Sequence, residues 1–140
     1  MAKIQGNLTL IGDNFDTAYV SRMIGQFPPY VREKTEVLRN GQFFGHCEWG
    51  VGTEFVETDD LPPVSNLLRG MINCPTEVLK KAAQDCNAVW NILFNVDVYD
   101  DFPALFFDQE FIQFTAEIGG KIGFDVLLLN GPDPCEEMDS

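Results

Sequence analysis

The chain has 140 residues, 45% of them hydrophobic, and its 22 acidic and 9 basic residues give a formal net charge of −13. A chain of this length and apolar content forms one compact domain that buries roughly 68% of its unfolded surface. The acidic balance argues against DNA or RNA as a partner, because phosphate contacts depend on Lys and Arg, and no apolar run approaches the roughly 20 residues of a membrane-spanning helix.

The first predicted element is an extended strand from Lys3 to Ile11. The apolar period changes from two to about 3.6 residues at Asp16, which predicts a helix from Thr17 to Ile24 with the Asp16 carboxylate as its N-terminal cap. Phe15 and Val20 have the spacing of a hydrophobic staple around that cap. The glycine that follows the helix suits a left-handed C-terminal residue.

The same junction recurs near the other end of the chain. Phe107 and Asp108 repeat the apolar residue and the cap, and Ile112 stands where the second half of a staple belongs. The helix is predicted from Gln109 to Ile118, and Gly119-Gly120 ends it. The sequence therefore predicts two strand-to-helix corners.

The segment between the two junctions begins with a polar connection that ends in a turn at Asn40-Gly41. The residues after this turn, 43–57, are strand-like with breaks at glycines, which predicts one long bent strand or a hairpin. Helical spacing of apolar residues predicts a second helix within residues 59–72, with Asp60 near its cap, and a third helix from about Thr76 to Cys86.

A second long strand is predicted where apolar and polar residues alternate after the third helix. One face would be buried and consists of Trp90, Ile92, Phe94, Val96 and Val98, whereas the other would be wet and carries Asn91, Asn95, Asp97 and Tyr99. Residues 122–130 are predicted as the final strand. The remaining residues, 131–140, contain two prolines and four acids without periodicity, which predicts a disordered acidic tail.

These elements indicate an α+β protein with a mainly antiparallel sheet and about four helices packed on one of its faces. No linker divides the chain, so residues 1–130 are expected to form a single globular domain. The four cysteines are scattered without a C-x-x-C pair, and no apolar signal segment precedes them. This usage is typical of reduced thiols, and we expect a cytoplasmic protein.

Several elements in this order resemble a bacterial family. They are "GDNFDTAYVSRMIG", the polar segment "KTEVLRNG", a strand bearing Trp49, the helix pair "LPPVSNLLRGM" and "TEVLKKAA", and the ending "FDQEFIQFTAEIGGKIGFDVLLLN". The family is catalogued as domain of unknown function four-two-seven-nine, and the resemblance covers Lys3 to about Asn130. It implies bacterial origin and an α+β fold, and it assigns no activity and no site residues.

No catalytic motif stands out from the sequence. His46 is the one histidine and is followed by Cys47, but neighbouring residues of a strand point to opposite faces, so the two side chains are not expected to form a catalytic pair. Asp97, Asp100 and Asp101 do not have the spacing of a calcium loop, and the glycines around Val51 do not form a phosphate loop. We therefore expect no metal and no cofactor, and a binding protein is favoured over an enzyme.

The acidic residues are concentrated in windows that contain no Lys or Arg. In two of these windows, acidic residues lie at the ends of predicted strands. If those strand ends are adjacent in the sheet, their carboxylates form one acidic rim, which we define as Glu54, Glu57, Asp59, Asp60, Asp97, Asp100 and Asp101. Such a rim would attract a basic protein, and an immunity protein that blocks a cationic toxin would have this character.

Two alternatives remain open from the sequence. The polar sheet face, with Asn91, Asn95 and Tyr99, is typical of a surface that binds a small molecule or acts on one. The acidic charge is also compatible with a housekeeping domain in which it provides only solubility.

Overall fold

The computed structural model describes residues 2–33 and 45–129. The predicted turn at Asn40-Gly41 and the predicted tail, 131–140, lie outside these residues. The described elements, in chain order, are β1 (Ala2–Gly12), α1 (Thr17–Ile24), β2 (Tyr30–Arg32), β3 (Cys47–Gly52), β4 (Val56–Thr58), α2 (Pro62–Gly70), α3 (Thr76–Cys86), β5 (Ala88–Val98), α4 (Gln109–Glu117) and β6 (Lys121–Leu128).

The six strands form one sheet in the order β2-β3-β1-β5-β6, with β4 also paired to β1. β1 is the central strand: it pairs antiparallel with β5 over Lys3 to Gly12, and with β3 and β4 along its other edge. β6 pairs parallel with β5 and forms one edge of the sheet among the described residues. The fold is therefore α+β with a mostly antiparallel sheet, as the sequence predicts.

β3 and β4 are two parts of one bent strand beside β1. Asn7 pairs with Gly52 and Ile4 pairs with Val56. Gln5 and Gly6 of β1 thus face Thr53, Glu54 and Phe55, so the outer strand has one residue more than its partner. This is a β-bulge, which bends the strand. Of the two predicted alternatives, a bent strand and a hairpin, the structure contains the bent strand.

The helices cover one face of the sheet and enclose the core. α1 contacts β3, α2 contacts β1 and α3 contacts β5. Trp49 of β3 and Trp90 of β5 lie fully buried beneath them, with ring centroids 6.0 Å apart in a T-shaped arrangement. Each indole N–H is satisfied, by Ser21 Oγ at 3.0 Å and by Leu79 O at 2.8 Å respectively, so these large side chains are buried without an unpaired donor.

The second half of the core is a cluster of phenylalanines between α4 and the β5-β6 edge. Phe107 stacks on Phe111 with centroids 5.3 Å apart, and both rings contact Phe94 of β5. Phe124 of β6 packs against Phe94 and Phe107. These rings hold α4 and β6 against the central strands by burial of apolar surface.

Both predicted aspartate caps are present. The Asp16 carboxylate accepts a hydrogen bond from the Ala18 amide at 2.9 Å, and Asp108 accepts one from the Phe111 amide at 3.1 Å. Gly25 follows α1 with φ of 80°, as a left-handed helix end requires.

The second junction departs from the first in two respects. Its helix is not preceded by a strand, since only an isolated bridge between Asp60 and Ala104 lies between β5 and α4. Its predicted staple partner, Ile112, is exposed, because Phe107 turns toward the sheet and stacks on Phe111. The common cap sequence therefore serves two different connections.

Three side chains of the helical segments have surroundings that the sequence does not reveal. Asp60 lies next to the N-terminal cap position of α2, as predicted, but that position is Leu61, and the Asp60 carboxylate accepts from the Thr58 hydroxyl and not from a helix amide. Leu67 has the helical spacing of the other apolar residues of α2, yet it is exposed. Phe27 is apolar and follows α1, yet it is 95% exposed because Gly25 ends the helix and turns the chain away.

None of the helices in residues 2–33 and 45–129 is long and apolar enough to cross a membrane.

Replacement of Asp16 or Asp108 by Ala should each lower the free energy of unfolding by about 1 kcal/mol, because each substitution leaves an amide of the first helical turn without its side-chain acceptor. Urea denaturation of the two variants measures this change. Asn at either position retains the acceptor and is the matched control. An unchanged midpoint in both Ala variants would contradict the structural role of these carboxylates.

Candidate functional site

The sheet face opposite the helices carries a layer of polar side chains. Alternation along β1 places Gln5, Asn7 and Thr9 on this open face, while the residues between them are buried. The antiparallel register sets Asn95 beside Gln5 and Asn91 beside Thr9. The open face therefore carries mostly polar side chains along both central strands, with Val89 and Leu93 of β5 as partly exposed apolar exceptions.

The amide side chains in this layer bind one another. Gln5 and Asn7 exchange hydrogen bonds, with Gln5 Nε2 donating to Asn7 Oδ1 at 2.8 Å and Asn7 Nδ2 donating to Gln5 Oε1 at 3.0 Å. Asn95 Nδ2 donates to the same Gln5 Oε1 at 2.8 Å, and Gln5 Nε2 also donates to the Thr53 carbonyl at 2.9 Å. We call Gln5, Asn7 and Asn95 the amide ladder, and its mutual bonds fix three otherwise mobile side chains.

Two glycines of β3 make room for the polar layer. A Cβ atom at Gly52 would overlap the Asn7 amide, and one at Gly50 would lie 2.9 Å from both the Leu8 carbonyl oxygen and Thr9 Oγ1. Any larger residue would displace the side chains or backbone of β1. The glycines in "WGVG" thus have a packing function, and no phosphate-binding role is needed to explain them.

A groove of about 720 Å³ crosses the open face from β2 to β6. Its volume lies in the range of small-molecule sites. Tyr30 and Glu48 line it on the β2-β3 side, Thr9 and Asn91 line its middle, and Lys121 lines it on the β6 side. The groove therefore offers a carboxylate, an ammonium group and neutral hydrogen-bonding groups on one surface.

Glu48 supplies the carboxylate of this groove, and its side chain is only 14% exposed. His46 Nε2 lies 2.9 Å from Glu48 Oε1. Arg32 of β2 stands directly opposite Glu48 of β3 in the strand register. Arg32 Nε donates to the Tyr30 hydroxyl at 2.7 Å. Burial raises the pKa of Tyr30, and a hydrogen bond with Glu48 raises it further.

The three cysteines among the described residues are poorly placed for nucleophilic chemistry. Cys47 is buried on the helix side of β3, whereas His46 pairs with Glu48, so the adjacent His and Cys form no pair, as predicted. Burial raises the pKa of Cys74 and Cys86, which reduces their thiolate fraction at neutral pH. Among the described residues, no group of three or more His, Cys, Asp and Glu side chains could hold a metal ion.

The predicted acidic rim depends on how β4 and β5 end. Both strands finish at the end of the sheet where β1 begins, on either side of it. Lys3 of β1 pairs with Glu57 on one side and with Asp97 on the other. The Lys3 ammonium also lies 5.9 Å from the centroid of the Tyr99 ring. The two acidic strand ends are thus separated by one strand, and that strand contributes a cation.

The loops beyond these strand ends are joined by backbone hydrogen bonds. The Ala104 amide donates to the Asp59 carbonyl at 2.8 Å, and Ala104 forms a bridge with Asp60. In the turn after β5, the Asp101 amide donates to the Asp100 carboxylate at 2.8 Å, and this bond lowers the pKa of Asp100. Glu54 lies apart from these residues, in the bulge before β4.

Two exposed aromatic rings accompany the acidic residues. Phe55 follows Glu54 in the bulge, and Phe102 follows Asp101 in the loop after β5. Exposed aromatic side chains next to charged groups are characteristic of protein interfaces, where the ring supplies buried apolar area and the charges surround it.

The three residues predicted for the polar sheet face have different surroundings. Asn91 lines the groove. Asn95 belongs to the amide ladder. Tyr99 lies beyond the end of β5, under Lys3 at the acidic end of the sheet. The open face is thus mostly polar, but these side chains do not form one site.

The side chains that β1, β2 and β3 place on this face were not predicted from the sequence. The alternation in "IQGNLTLIG" places Gln5, Asn7 and Thr9 on one face of β1, and a period of two could have identified them. The same period puts His46 and Glu48 on one side of the chain. Tyr30 carries no comparable signal, because β2 has only three residues and its pairing with β3 is a tertiary contact.

Replacement of Gly50 by Ala should lower the free energy of unfolding by about 1–3 kcal/mol, because the new methyl group would lie too close to the Leu8 carbonyl and Thr9. Gly70→Ala is the control, since a Cβ atom at Gly70 has no neighbour within 4 Å and helical Ala is favoured over Gly. Chemical denaturation compares the two. Equal stability of both variants would contradict the close packing of β3 against β1.

Comparison with known proteins gives a family and no activity. A search of the curated proteins and a search of the solved structures each found no match. The family model described as "Domain of unknown function (DUF4279)" matches residues 2–129, which include every strand and helix of the described structure. The chain therefore belongs to the DUF4279 family.

Proposed function

We propose that this protein is a non-catalytic binding module that captures a basic protein through its acidic rim, in the manner of an immunity protein that neutralises a cationic toxin. The observation that supports this proposal is that β4 and β5 end on either side of the start of β1. Apart from Glu54, the acidic residues proposed for the rim follow or end these two strands, although they are far apart in the sequence.

Electrostatics supports a partner of opposite charge. With a net charge of −13, the chain attracts cationic surfaces over long distances, and a local concentration of carboxylates directs that attraction to one region. Lys3 modifies the pattern, because it gives the centre of the rim a positive group between Glu57 and Asp97. The rim would therefore favour a partner that places a carboxylate or a carbonyl opposite Lys3 and cations opposite the surrounding carboxylates. It would disfavour a partner whose surface is uniformly basic.

The exposed aromatic rings would add buried apolar area to the interface, which charged groups do not provide. Rim charges mainly accelerate association, whereas buried aromatic anchors slow dissociation. Phe55 and Phe102 are exposed beside acidic residues and are suited to that second role. The proposed surface therefore combines long-range attraction with two apolar anchors.

Conversion of Asp97, Asp100 and Asp101 together to Asn should slow association with the basic partner more than it speeds dissociation. The partner is the protein captured by the wild-type chain from a lysate of the native host, and surface plasmon resonance measures both rates at low and high salt. The wild-type association rate should fall with salt, because the Debye length is about 8 Å at physiological ionic strength.

The matched control is the triple substitution of Glu77, Glu110 and Glu117 by Gln. These exposed residues lie on α3 and α4, so the variant removes the same number of charges away from the rim. A wild-type association rate that is indifferent to salt and to the rim substitutions would contradict the proposal. An equal loss in both triple variants would assign the effect to net charge alone.

The groove supports a second candidate function, the binding of a small polar molecule on the open face. Its volume of about 720 Å³ and its lining by Glu48, Asn91 and Lys121 favour a ligand that carries both donors and acceptors. Gln5 and Asn7 of the amide ladder also line the groove, and their mutual hydrogen bonds would hold this part of its surface rigid. This function and capture of a basic protein use different parts of the sheet.

A screen of small polar metabolites by thermal shift tests the groove. A ligand of the groove should raise the melting temperature of the wild-type protein, because it binds only the folded chain. Asn91→Trp places a bulky ring in the groove and should abolish that shift, whereas Ile112→Trp, on the exposed side of α4, should retain it. A shift that survives Asn91→Trp would place the ligand elsewhere.

A further inference from the structure

β6 forms an edge of the sheet with apolar side chains still exposed. Phe124 is 40% exposed and Val126 is 38% exposed, although both lie on the face that the helices cover elsewhere. No strand of the described residues pairs with the outer edge of β6. Such an edge can accept another strand, because its outward backbone groups have no partner in the sheet.

The backbone direction of β6 determines which residues would pair. The Leu129 amide donates to the Val98 carbonyl at 2.8 Å, so the backbone groups of Leu129 point toward β5. Backbone direction alternates along a strand. Gly123 and Asp125 therefore also direct their backbone groups toward β5, whereas Ile122 and Phe124 direct theirs outward.

We propose that β6 pairs antiparallel with β6 of a second copy of this chain, about a two-fold axis at Gly123. In this register Ile122 of each copy faces Phe124 of the other. Both residues have outward backbone groups, so each of these pairs exchanges two hydrogen bonds. The pairing joins two six-stranded sheets into one continuous sheet.

The charges of β6 fit this register. Lys121 and Asp125 lie on the open face of the strand, four residues apart, and both are exposed. A two-fold axis at Gly123 places Lys121 opposite Asp125 of the second copy, and Asp125 opposite Lys121. Both pairs occupy non-hydrogen-bonded positions, where facing side chains approach most closely. The strand is thus self-complementary in charge.

The same register covers the apolar side of the edge. Ile122 and Phe124 lie on the helix side of β6, and each would contact its counterpart across the new strand pair. Cross-strand pairs of an aromatic with a β-branched side chain are favourable. Gly123 at the axis has only Leu93 within van der Waals contact of its Cβ position, so nothing bulky stands at the centre of the interface.

The matching of positive to negative charge about one axis favours a second copy over an unrelated strand, since a symmetric pair requires each surface to complement itself. The proposal is independent of the acidic rim, because Lys121 and Asp125 do not belong to it.

Sedimentation of the full chain at physiological ionic strength tests the proposal. The wild-type protein should sediment as a concentration-dependent dimer of twice its 15.7 kDa mass. Lys121→Asp places a carboxylate opposite Asp125 of the second copy, and Asp125→Lys places an ammonium group opposite Lys121 of the second copy. Like charges then face each other, so each variant should raise the dimer Kd roughly tenfold or more. The double variant Lys121→Asp with Asp125→Lys exchanges the two charges and should restore the wild-type Kd.

Circular dichroism melting shows whether each variant is folded, and the double variant provides a folded control with the same composition as the wild type. A wild-type protein that remains monomeric at every concentration would overturn the proposal. A dimer that is unaffected by the single substitutions would place the interface elsewhere. Loss in both single variants without recovery in the double variant would exclude the register about Gly123.

Discussion

The antiparallel pairing of β1 with β5 is the constraint on which the rest of the structure depends. Its register puts Leu8 and Leu10 under the helices and leaves Gln5 and Asn7 on the open face. A slip of one residue would exchange these two sets, exposing the apolar side chains and burying amides away from their partners. The other strands of the sheet take their positions from this pair: β3 and β4 pair with β1, β6 pairs with β5, and β2 is attached through β3.

The two faces of this pair have different physical characters. On the helix side, Trp49 and Trp90 fill the core and each indole finds one acceptor. On the open side, Gln5, Asn7 and Asn95 bind one another, so polar groups at the surface are ordered without a covering layer. An ordered polar surface loses little conformational entropy when a partner binds, which favours recognition by this face and its margins.

The sequence predicted the elements that are governed by local chemistry. The strand-to-helix transition at Asp16 follows from capping, and the bounds of α3 follow from the periodicity of its apolar residues. The alternation of β5 follows from having one buried face. What it could not predict depends on distant partners. The exposure of Phe27 results from the direction of the chain after Gly25, and Asp60 binds Thr58 because the loop beside it is held by Ala104.

The same limit applies to the candidate sites. Periodicity assigned Asn91 and Asn95 to one face, but only the pairing of β1 with β5 shows that Asn95 is engaged by Gln5 while Asn91 lines the groove. The approach of Glu57 and Asp97 to Lys3 likewise needs the strand order, because the two carboxylates are separated by two helices in the sequence. Local sequence patterns therefore predicted which side chains lie on the surface, whereas the contacts between those side chains depend on the strand order.

The position of β1 has a consequence for synthesis on the ribosome. β1 leaves the ribosome before all of its partners, yet its longest partner is β5, which is separated from it by three helices. At roughly 5–20 residues per second, the segment between Thr58 and Ala88 takes seconds to appear. During this interval β1 has β3 and β4 as partners along one edge, while its other edge stays open. The nascent chain is therefore most exposed to misassociation just before β5 emerges, which is when a chaperone would have the greatest effect on its yield.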